Sequence, residues 1–423
     1  MAANYKWKKL ILGNSVKQDN LTYPPTMSST PAAFNAPAGM ASVATDDAYN
    51  PGVSYAAGDL LFYTDGATVY DSTGAIMNGG TLNGLGGTKA GAQPAVILKS
   101  TETNYWWILS ISAGGRVYSS TVNMAGNSGR GTVDQKAVTV NIGATVTDRF
   151  NAYYSTSTSQ YGFICHLTGS NRWKSALITG ISSHNPTFSA VTTTAIGNIY
   201  ANNDAANHAT VKFNEDNTKM ATVYQTAVGT SSSPVTSAIV EVYDFNPATG
   251  VPSNFNSFLV NIKDAGAVAP GAGNDGRLKG YDLEWDFDTD TLYIPTYDST
   301  HGLGIEWFTL NASNAVTSQG VVGKSRSSIG NNADKAIFGM YKDPYEDRIY
   351  IAKPAVIGTT GGYSSDYNDT YATDRVSVII DTATPATSEF VETLTTTVPG
   401  DTIGKGMPTR PMAGEEAGAS DYY

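Results

Sequence analysis

One short unit recurs along this chain and constrains its fold more than any other feature. In each copy, a strand rich in aromatic and β-branched residues leads into a polar turn, and a second strand returns. A small sheet built on such a unit cannot bury both faces alone, whereas sheets arranged around an axis cover one another. The repeat therefore predicts an all-β fold, a β-propeller. The six copies are Thr68–Met77, Arg116–Gly126, Arg172–Ser182, Val240–Ser253, Ile305–Thr317 and Arg375–Thr387.

A hairpin with its own spacing precedes several of these units. It is clearest in Val211–Tyr224, Leu283–Tyr297 and Gly339–Pro354. In each hairpin an aromatic residue before a polar turn is matched by an apolar residue after it, as expected for two antiparallel strands. The matched residues are Phe213 and Met220, Trp285 and Leu292, and, one residue further apart, Tyr341 and Ile349.

A hairpin and the unit that follows it together make a four-stranded sheet, which is the size of one propeller blade. We expect seven blades, six of which are counted directly. The N-terminal strand in Trp7–Gly13 is expected to complete the last blade with C-terminal strands, which closes the ring. The chain then divides into an N-terminal arm with the ring-closing strand (1–37), the propeller (38–400) and a C-terminal tail (401–423).

Glycine and aspartate mark the predicted turns between blade strands. Asp65 and Gly66 lie between two short apolar runs, and such a pair favours a two-residue hairpin turn with positive φ angles. Gly74 ends the next turn, and in the fourth copy the turn lies between Asp244 and Gly250.

Several segments resemble WD-repeat-like, YVTN-type propeller proteins, which are common among surface and secreted proteins of Bacteroidetes. GDLLFYTDGATVYDSTGAIMNGG (58–80) resembles the opening blade of that family with its GNLLFYTDG signature. The resemblance implies a propeller and a surface or secreted location, and it is nearly silent on chemistry. The signal peptide and C-terminal sorting domain usual in the family are not found in this sequence. Further similar segments are 11–23, 162–179, 208–224, 240–254 and 338–354.

Composition limits the partners that this chain can have. The formal net charge is −11, and no lysine and arginine stripe suits nucleic acid or an anionic membrane. No apolar run approaches the length of a membrane span, so we expect no direct membrane insertion. Cys165 is the single cysteine, which excludes an intramolecular disulfide, and its strand context predicts a buried thiol.

The search for catalytic or metal-binding motifs leads to no assignment. Aspartates alternate at 286, 288 and 290, but an EF-hand loop would need Gly and Glu where Thr291 and Tyr297 stand, so we expect a solvated turn. The segment 64–70 is close to a sialidase Asp box but lacks its spacer and its terminal Trp. We therefore predict no catalytic residues, no metal and no cofactor. The histidines, His166, His184, His208 and His301, are dispersed without metal-ligand spacing.

A propeller without catalytic groups favours a non-enzymatic role as a rigid platform. We expect a structural protein of a bacteriophage virion, in the capsid decoration or the tail, with assembly contacts at Trp7, Tyr422 and Tyr423. Its partners would be other virion proteins in a larger assembly. The alternative is an extracellular adhesion or scaffold propeller at the bacterial cell surface, with surface proteins or glycans as partners. A third reading, a glycan-processing enzyme, would need a facing pair of carboxylates, which the sequence cannot place.

Overall fold

The structure is a computed structural model. It describes residues 9–12, 16–19, 26–29, 42–45, 60–64, 66–82, 95–112, 114–179, 184–199, 209–224, 237–261, 282–286, 290–298, 302–324, 339–342, 348–353, 375–380 and 389–396.

The described residues form strands joined by turns, with a single 3₁₀ turn at Asn127–Gly129. None of them forms a helix long and apolar enough to cross a lipid bilayer. The strands are β1 Lys9–Leu12, β2 Val16–Asp19, β3 Thr26–Ser29, β4 Ser42–Thr45, β5 Leu60–Thr64, β6 Thr68–Asp71, β7 Ile76–Thr81, β8 Ala95–Lys99, β9 Tyr105–Ile111, β10 Val117–Asn123, β11 Thr132–Thr139, β12 Val146–Ser155, β13 Gln160–Leu167, β14 Arg172–Thr179, β15 Thr187–Phe188, β16 Thr192–Ala195, β17 Val211–Phe213, β18 Lys219–Tyr224, β19 Ser237–Asn246, β20 Val251–Asn261, β21 Glu284–Trp285, β22 Thr291–Asp298, β23 Gly302–Leu310, β24 Val316–Lys324, β25 Gly339–Lys342, β26 Arg348–Lys353, β27 Arg375–Ile380 and β28 Glu389–Thr396.

These strands make seven small antiparallel units. The first is the three-stranded sheet β1–β3, and the next two, β4–β7 and β8–β11, are joined by one parallel bridge between Asn78 and Thr132. In the unit β12–β16 both β15 and β16 pair with β14. The last three are the four-stranded sheets β17–β20, β21–β24 and β25–β28. We number the six units from β4 onward as blades one to six.

The first strands of successive units lie side by side, which is the arrangement expected around a propeller axis. β1 contacts β4, β4 contacts β8, and β12, β17, β21 and β25 form a continuous series. The predicted all-β propeller is confirmed. The six sequence copies overlap the third strands of blades one to six, which are β6, β10, β14, β19, β23 and β27.

The N-terminal residues take the closing position in a form that differs in detail from the prediction. Among the described strands, β1 pairs with β2 and β2 with β3, rather than with C-terminal strands. β3 lies beside β28 while β1 lies beside β4, so this small sheet stands between the sixth blade and the first. A short connection between β1 and β2 favours local antiparallel pairing over pairing with a distant segment.

The core lies between the blades. Trp106 and Trp107, neighbours on β9, are both buried but belong to separate clusters, because alternate side chains of a strand point to opposite faces. Trp106 packs with Phe62 of the first blade, and Trp107 packs with Phe163 of the third. The second blade thus buries one face against the first blade and the other against the third.

The first predicted turn is wider than expected. Asp65 lies outside the described residues, and Gly66 has the predicted positive φ, 86°. The last paired residues are Thr64 and Val69, so four residues connect the strands instead of two. The side chain of Thr64 explains the difference, because its hydroxyl accepts a hydrogen bond from Gly66 N (2.9 Å) and donates one to Thr68 O (2.7 Å).

The remaining predicted turn residues that the structure describes lie at or beside turns. Gly74 and Gly250 have φ angles of 85° and 70°, which glycine adopts without strain. Asp244 lies on β19, just before the turn that Gly250 ends. The predicted assembly contacts Trp7, Tyr422 and Tyr423 lie outside the described residues, as do His208 and His301.

Candidate functional site

A lysine and two carboxylates meet between the first strands of the fourth, fifth and sixth blades. Lys212 on β17 places its ammonium 3.1 Å from Glu284 Oε2 and 3.6 Å from Asp282 Oδ1. Glu284 is on β21, and Asp282 precedes it by two residues, so both carboxylates lie on one face of the chain. Lys212 also donates to the carbonyl oxygen of Met340 on β25, at 3.1 Å. We call Lys212, Asp282 and Glu284 the axial triad.

Backbone and hydroxyl donors hold the carboxylates of the axial triad in place. Asp282 accepts hydrogen bonds from Thr210 Oγ1 (2.9 Å) and from Met340 N (2.8 Å). Glu284 accepts from the backbone N–H of Trp285, at 3.1 Å, and of Lys342, at 3.3 Å. Three inner strands are therefore tied together by charge-assisted hydrogen bonds.

Burial sets the ionisation of the axial triad. Burial disfavours the charged ammonium of Lys212, but Asp282 and Glu284 outweigh this effect and raise the pKa of Lys212 above its usual value. Burial raises the pKa of Asp282, and the opposing charge of Lys212 does not cancel that effect. The side chains of Lys212 and Glu284 are 11% and 9% exposed, whereas that of Asp282 is fully buried.

A second group of ionisable side chains is buried between the third and fourth blades. Arg149 on β12 lies with its guanidinium carbon 4.4 Å from the ring centroid of Tyr224 on β18, a cation–π contact. Its Nη1 is 3.4 Å from Nδ1 of His166 on β13. Glu241 on β19 accepts from Tyr243 Oη (2.6 Å) and from both the backbone N–H (3.0 Å) and the side-chain amide (2.8 Å) of Asn198. We call this set the Arg149 cluster.

The pKa values in the Arg149 cluster are displaced by burial. Burial lowers the pKa of Arg149 to about 10, although the charge of Glu241 acts in the opposite direction. Burial, followed by the charge of Arg149, lowers the pKa of His166 well below its usual value. Burial raises the pKa of Glu241 even though Tyr243 and Arg149 favour its ionised form. Such displaced values are typical of functional sites, but structural networks also produce them.

Apart from His166, which was weighed only as a metal ligand, the residues of these two clusters were not singled out by the sequence patterns. Lys212 and Glu284 do carry one signal, since each is a charge between apolar neighbours in a short strand. Both stand one position before the aromatic residue of the matched pair, Phe213 or Trp285. Two hairpins with a charge at the same place could have indicated the inner strands.

The residues weighed as metal or nucleophilic candidates lie apart. Cys165 is fully buried, as predicted, and burial raises the pKa of its thiol, which disfavours the reactive thiolate. Asp286 is buried and Asp290 is 39% exposed, while Asp288 lies outside the described residues. His184 is exposed and pairs with Glu102 at 3.1 Å. Within the described part of the chain, no three His, Cys, Asp or Glu side chains are grouped to hold a metal ion.

No family model matches this chain, and no curated protein matches its sequence significantly. Several solved structures are similar to it at low identity. The periplasmic gluconolactonase of Pseudomonas aeruginosa is 12% identical, with 86% of this chain and 96% of that chain covered and a TM-score of 0.36. An exo-β-1,3-galactanase of Phanerochaete chrysosporium is 10% identical, with 76% and 65% covered and a TM-score of 0.36. The β-propeller domain of Cps50 from Myceliophteria thermophila is 10% identical, with 79% and 80% covered and a TM-score of 0.38.

This comparison corrects two predictions made from the sequence. We expected a non-enzymatic structural protein of a phage particle, or a surface adhesion propeller, and we expected no enzymatic activity. Both expectations are wrong against the solved structures, because lactonases and galactan-cleaving enzymes are prominent among those that are similar. At this identity and TM-score, the likeness transfers neither an activity nor a substrate to this chain. The predicted partners and the virion or surface location stay predictions.

Proposed function

We propose that this chain is a glycan-processing propeller enzyme that hydrolyses a glycosidic bond at the axial triad. The observation that supports the proposal is the pair of carboxylates on one inner strand, Asp282 and Glu284, which share the ammonium of Lys212. Glycoside hydrolysis needs one carboxyl group that carries a proton and a second that is ionised. A pair of carboxyl groups in different environments meets that need.

The two carboxyl groups differ in burial and in surroundings. Asp282 is fully buried and its pKa is raised, so we assign it the role of the proton carrier. Glu284 retains some exposure, with its Oε2 3.1 Å from Lys212 Nζ, so we assign it the role of the second carboxyl group. The side chains of Glu284 and Lys212 are therefore the ones that a sugar would meet first. A glycan is also among the partners expected from the sequence, and a secreted or surface location would suit it.

The test is turnover by the full-length protein of a panel of aryl glycosides and glycan oligosaccharides. We expect Glu284→Gln and Asp282→Asn each to lower kcat at least 100-fold. The matched control is Asp244→Asn, since Asp244 also lies near a buried lysine, at 3.4 Å from Lys219 Nζ, but outside the axial triad. We expect that variant to keep activity within threefold of the wild type.

Two results would overturn the proposal. One is the absence of turnover by the wild type across the whole panel. The other is a Glu284→Gln variant that retains activity while its circular dichroism melt shows an intact fold. A melt for every variant separates a lost catalytic group from lost structure.

A further inference from the structure

Glu241 connects two blades through a segment that lies outside any single sheet. Asn198 follows β16, on the connection that leads from the third blade to β17 of the fourth. Its backbone N–H and its side-chain amide both donate to Oε1 of Glu241, which is 43 residues away in sequence. Since Glu241 is on the third strand of the fourth blade, this carboxylate holds the connection against that blade.

The ionised form of Glu241 suits this contact better than the protonated form. A carboxylate only accepts hydrogen bonds, and the Asn198 N–H groups facing it only donate. Tyr243 donates to Oε2 at 2.6 Å, and Tyr224 Oη lies 3.4 Å from Oε1. Protonation would remove the negative charge that strengthens these bonds, and bonds to a charged acceptor are roughly twice as strong as neutral ones.

We infer that Glu241 is a pH-operated anchor: its carboxylate holds the connection between the third and fourth blades, and its protonation releases Asn198. The charged and titratable groups around it are Arg149 and Asp148 from β12, His166 from β13, Tyr224 from β18 and Tyr243 from β19.

These neighbours determine how the contact between Glu241 and Asn198 responds to pH. Burial raises the pKa of Glu241 above the ordinary 4.5, so its protonation in the folded protein begins at a higher pH than for exposed glutamates. The charge of Arg149 and the two hydrogen bonds from Asn198 oppose that protonation, so proton uptake at Glu241 weakens the contact with Asn198. Arg149 keeps its own charge because its pKa is about 10. Protonating Glu241 therefore removes the largest of the charge interactions that stabilise the buried guanidinium of Arg149, which favours a local rearrangement. The inference is independent of the proposed hydrolase activity.

The test is hydrogen exchange of the full-length protein, followed by mass spectrometry between pH 7.5 and pH 4 and corrected for intrinsic exchange rates. In the wild type we expect protection of peptides spanning 196–199 to fall at least tenfold as the pH is lowered, with the midpoint above 4.5. Glu241→Gln should show low protection at every pH. Asp244→Asn, a change on the same strand outside the Arg149 cluster, should follow the wild type.

A constant protection factor in the wild type across this range would overturn the inference, and so would a Glu241→Gln profile equal to that of the wild type. If Glu241→Gln does not fold, Asn198→Ala replaces it, because that change removes one donor and leaves Glu241 and Arg149 in place. Asn198→Ala should lower protection at pH 7.5 at least threefold. Unchanged protection in that variant would also contradict the anchor.

Discussion

His166 and His184 lie in opposite environments, one buried and the other exposed. His166 is fully buried, with its ring 4.7 Å from that of Trp173 and its Nδ1 near the guanidinium of Arg149. His184 is 60% exposed and pairs with Glu102. The pKa of His166 lies well below the usual 6.5, so the folded protein holds it neutral.

We predict that His166 makes stability fall as the pH is lowered from 7 to 5. A depressed folded-state pKa means that the unfolded chain takes up a proton below about 6.5 while the folded chain does not, so folding is penalised there. The loss should reach about 1–2 kcal/mol at pH 5, since one pH unit corresponds to about 1.4 kcal/mol. Urea denaturation of the wild type and of His166→Gln at both pH values measures it.

The variant His166→Gln should lose that part of the pH dependence, because glutamine does not titrate. His184→Gln is the matched control and should keep it, since that change is at an exposed side chain and leaves His166 in place. Equal pH dependence in the wild type and His166→Gln would contradict the prediction.

At the scale of the strand and turn, the same type of contact joins two different pairs of neighbouring blades. Asp71, at the end of β6, accepts from Arg130 Nη2 at 2.6 Å, and Arg130 follows the 3₁₀ turn of the next blade. Asp244, near the end of β19, accepts from Asn314 Nδ2 at 3.0 Å, and Asn314 lies in the β23–β24 turn of the next blade. In both pairs, the third strand of one blade holds a turn of its neighbour.

We predict a measurable coupling between Asp71 and Arg130. A double-mutant cycle with Asp71→Asn and Arg130→Met should give about 0.5–1 kcal/mol in the free energy of unfolding, because Arg130 is 47% exposed and solvent screens the pair. A control cycle that combines Asp71→Asn with Arg116→Met should give no coupling energy, because Arg116 is an exposed arginine on another turn. A coupling energy within error of zero for the first cycle would show that the contact does not stabilise the blade junction.

The sequence predicted most of the strand pairing in the hairpins that carry matched residues. Phe213 and Met220 are cross-strand partners, as are Trp285 and Leu292, so their equal spacing did report the register. In the sixth blade the partner of Ile349 is Lys342 rather than Tyr341, which restores the same spacing. The turn after Thr64 was missed because its width depends on a side-chain hydroxyl, which turn propensities do not include.

Across the whole molecule, the axial triad links three blades through residues that are distant in sequence. Lys212 reaches Glu284 across 72 residues and Met340 across 128. Trp285 Nε1 donates back to the carbonyl oxygen of Lys212 at 3.1 Å, so the side chain and the backbone of that residue both contribute. The network stabilises the order of the blades around the axis.

We predict that Lys212→Met destabilises the protein by about 3–5 kcal/mol, because it leaves buried carboxylates without their counter-charge. Since the pKa of Lys212 is raised, its contribution is fully present at neutral pH and is lost as the pH rises through the folded-state pKa. Chemical denaturation at pH 7 measures the change. Lys219→Met is the comparison, and it should cost less because Asp244 and Asp290 are each 39% exposed. Equal losses of unfolding free energy in the two variants would contradict the prediction that the axial triad stabilises the protein more than the contacts of Lys219 do.

The sequence by itself determined the strands, the turns and their repetition, because period-two patterning and turn residues act over a few positions. It therefore determined the fold class and six of the blades. Only the tertiary structure decided which charges meet, since Lys212 and Asp282, or Arg149 and Glu241, become neighbours through the curvature of the ring. Burial then sets their pKa values, and burial is a property of the packed blades rather than of any local pattern.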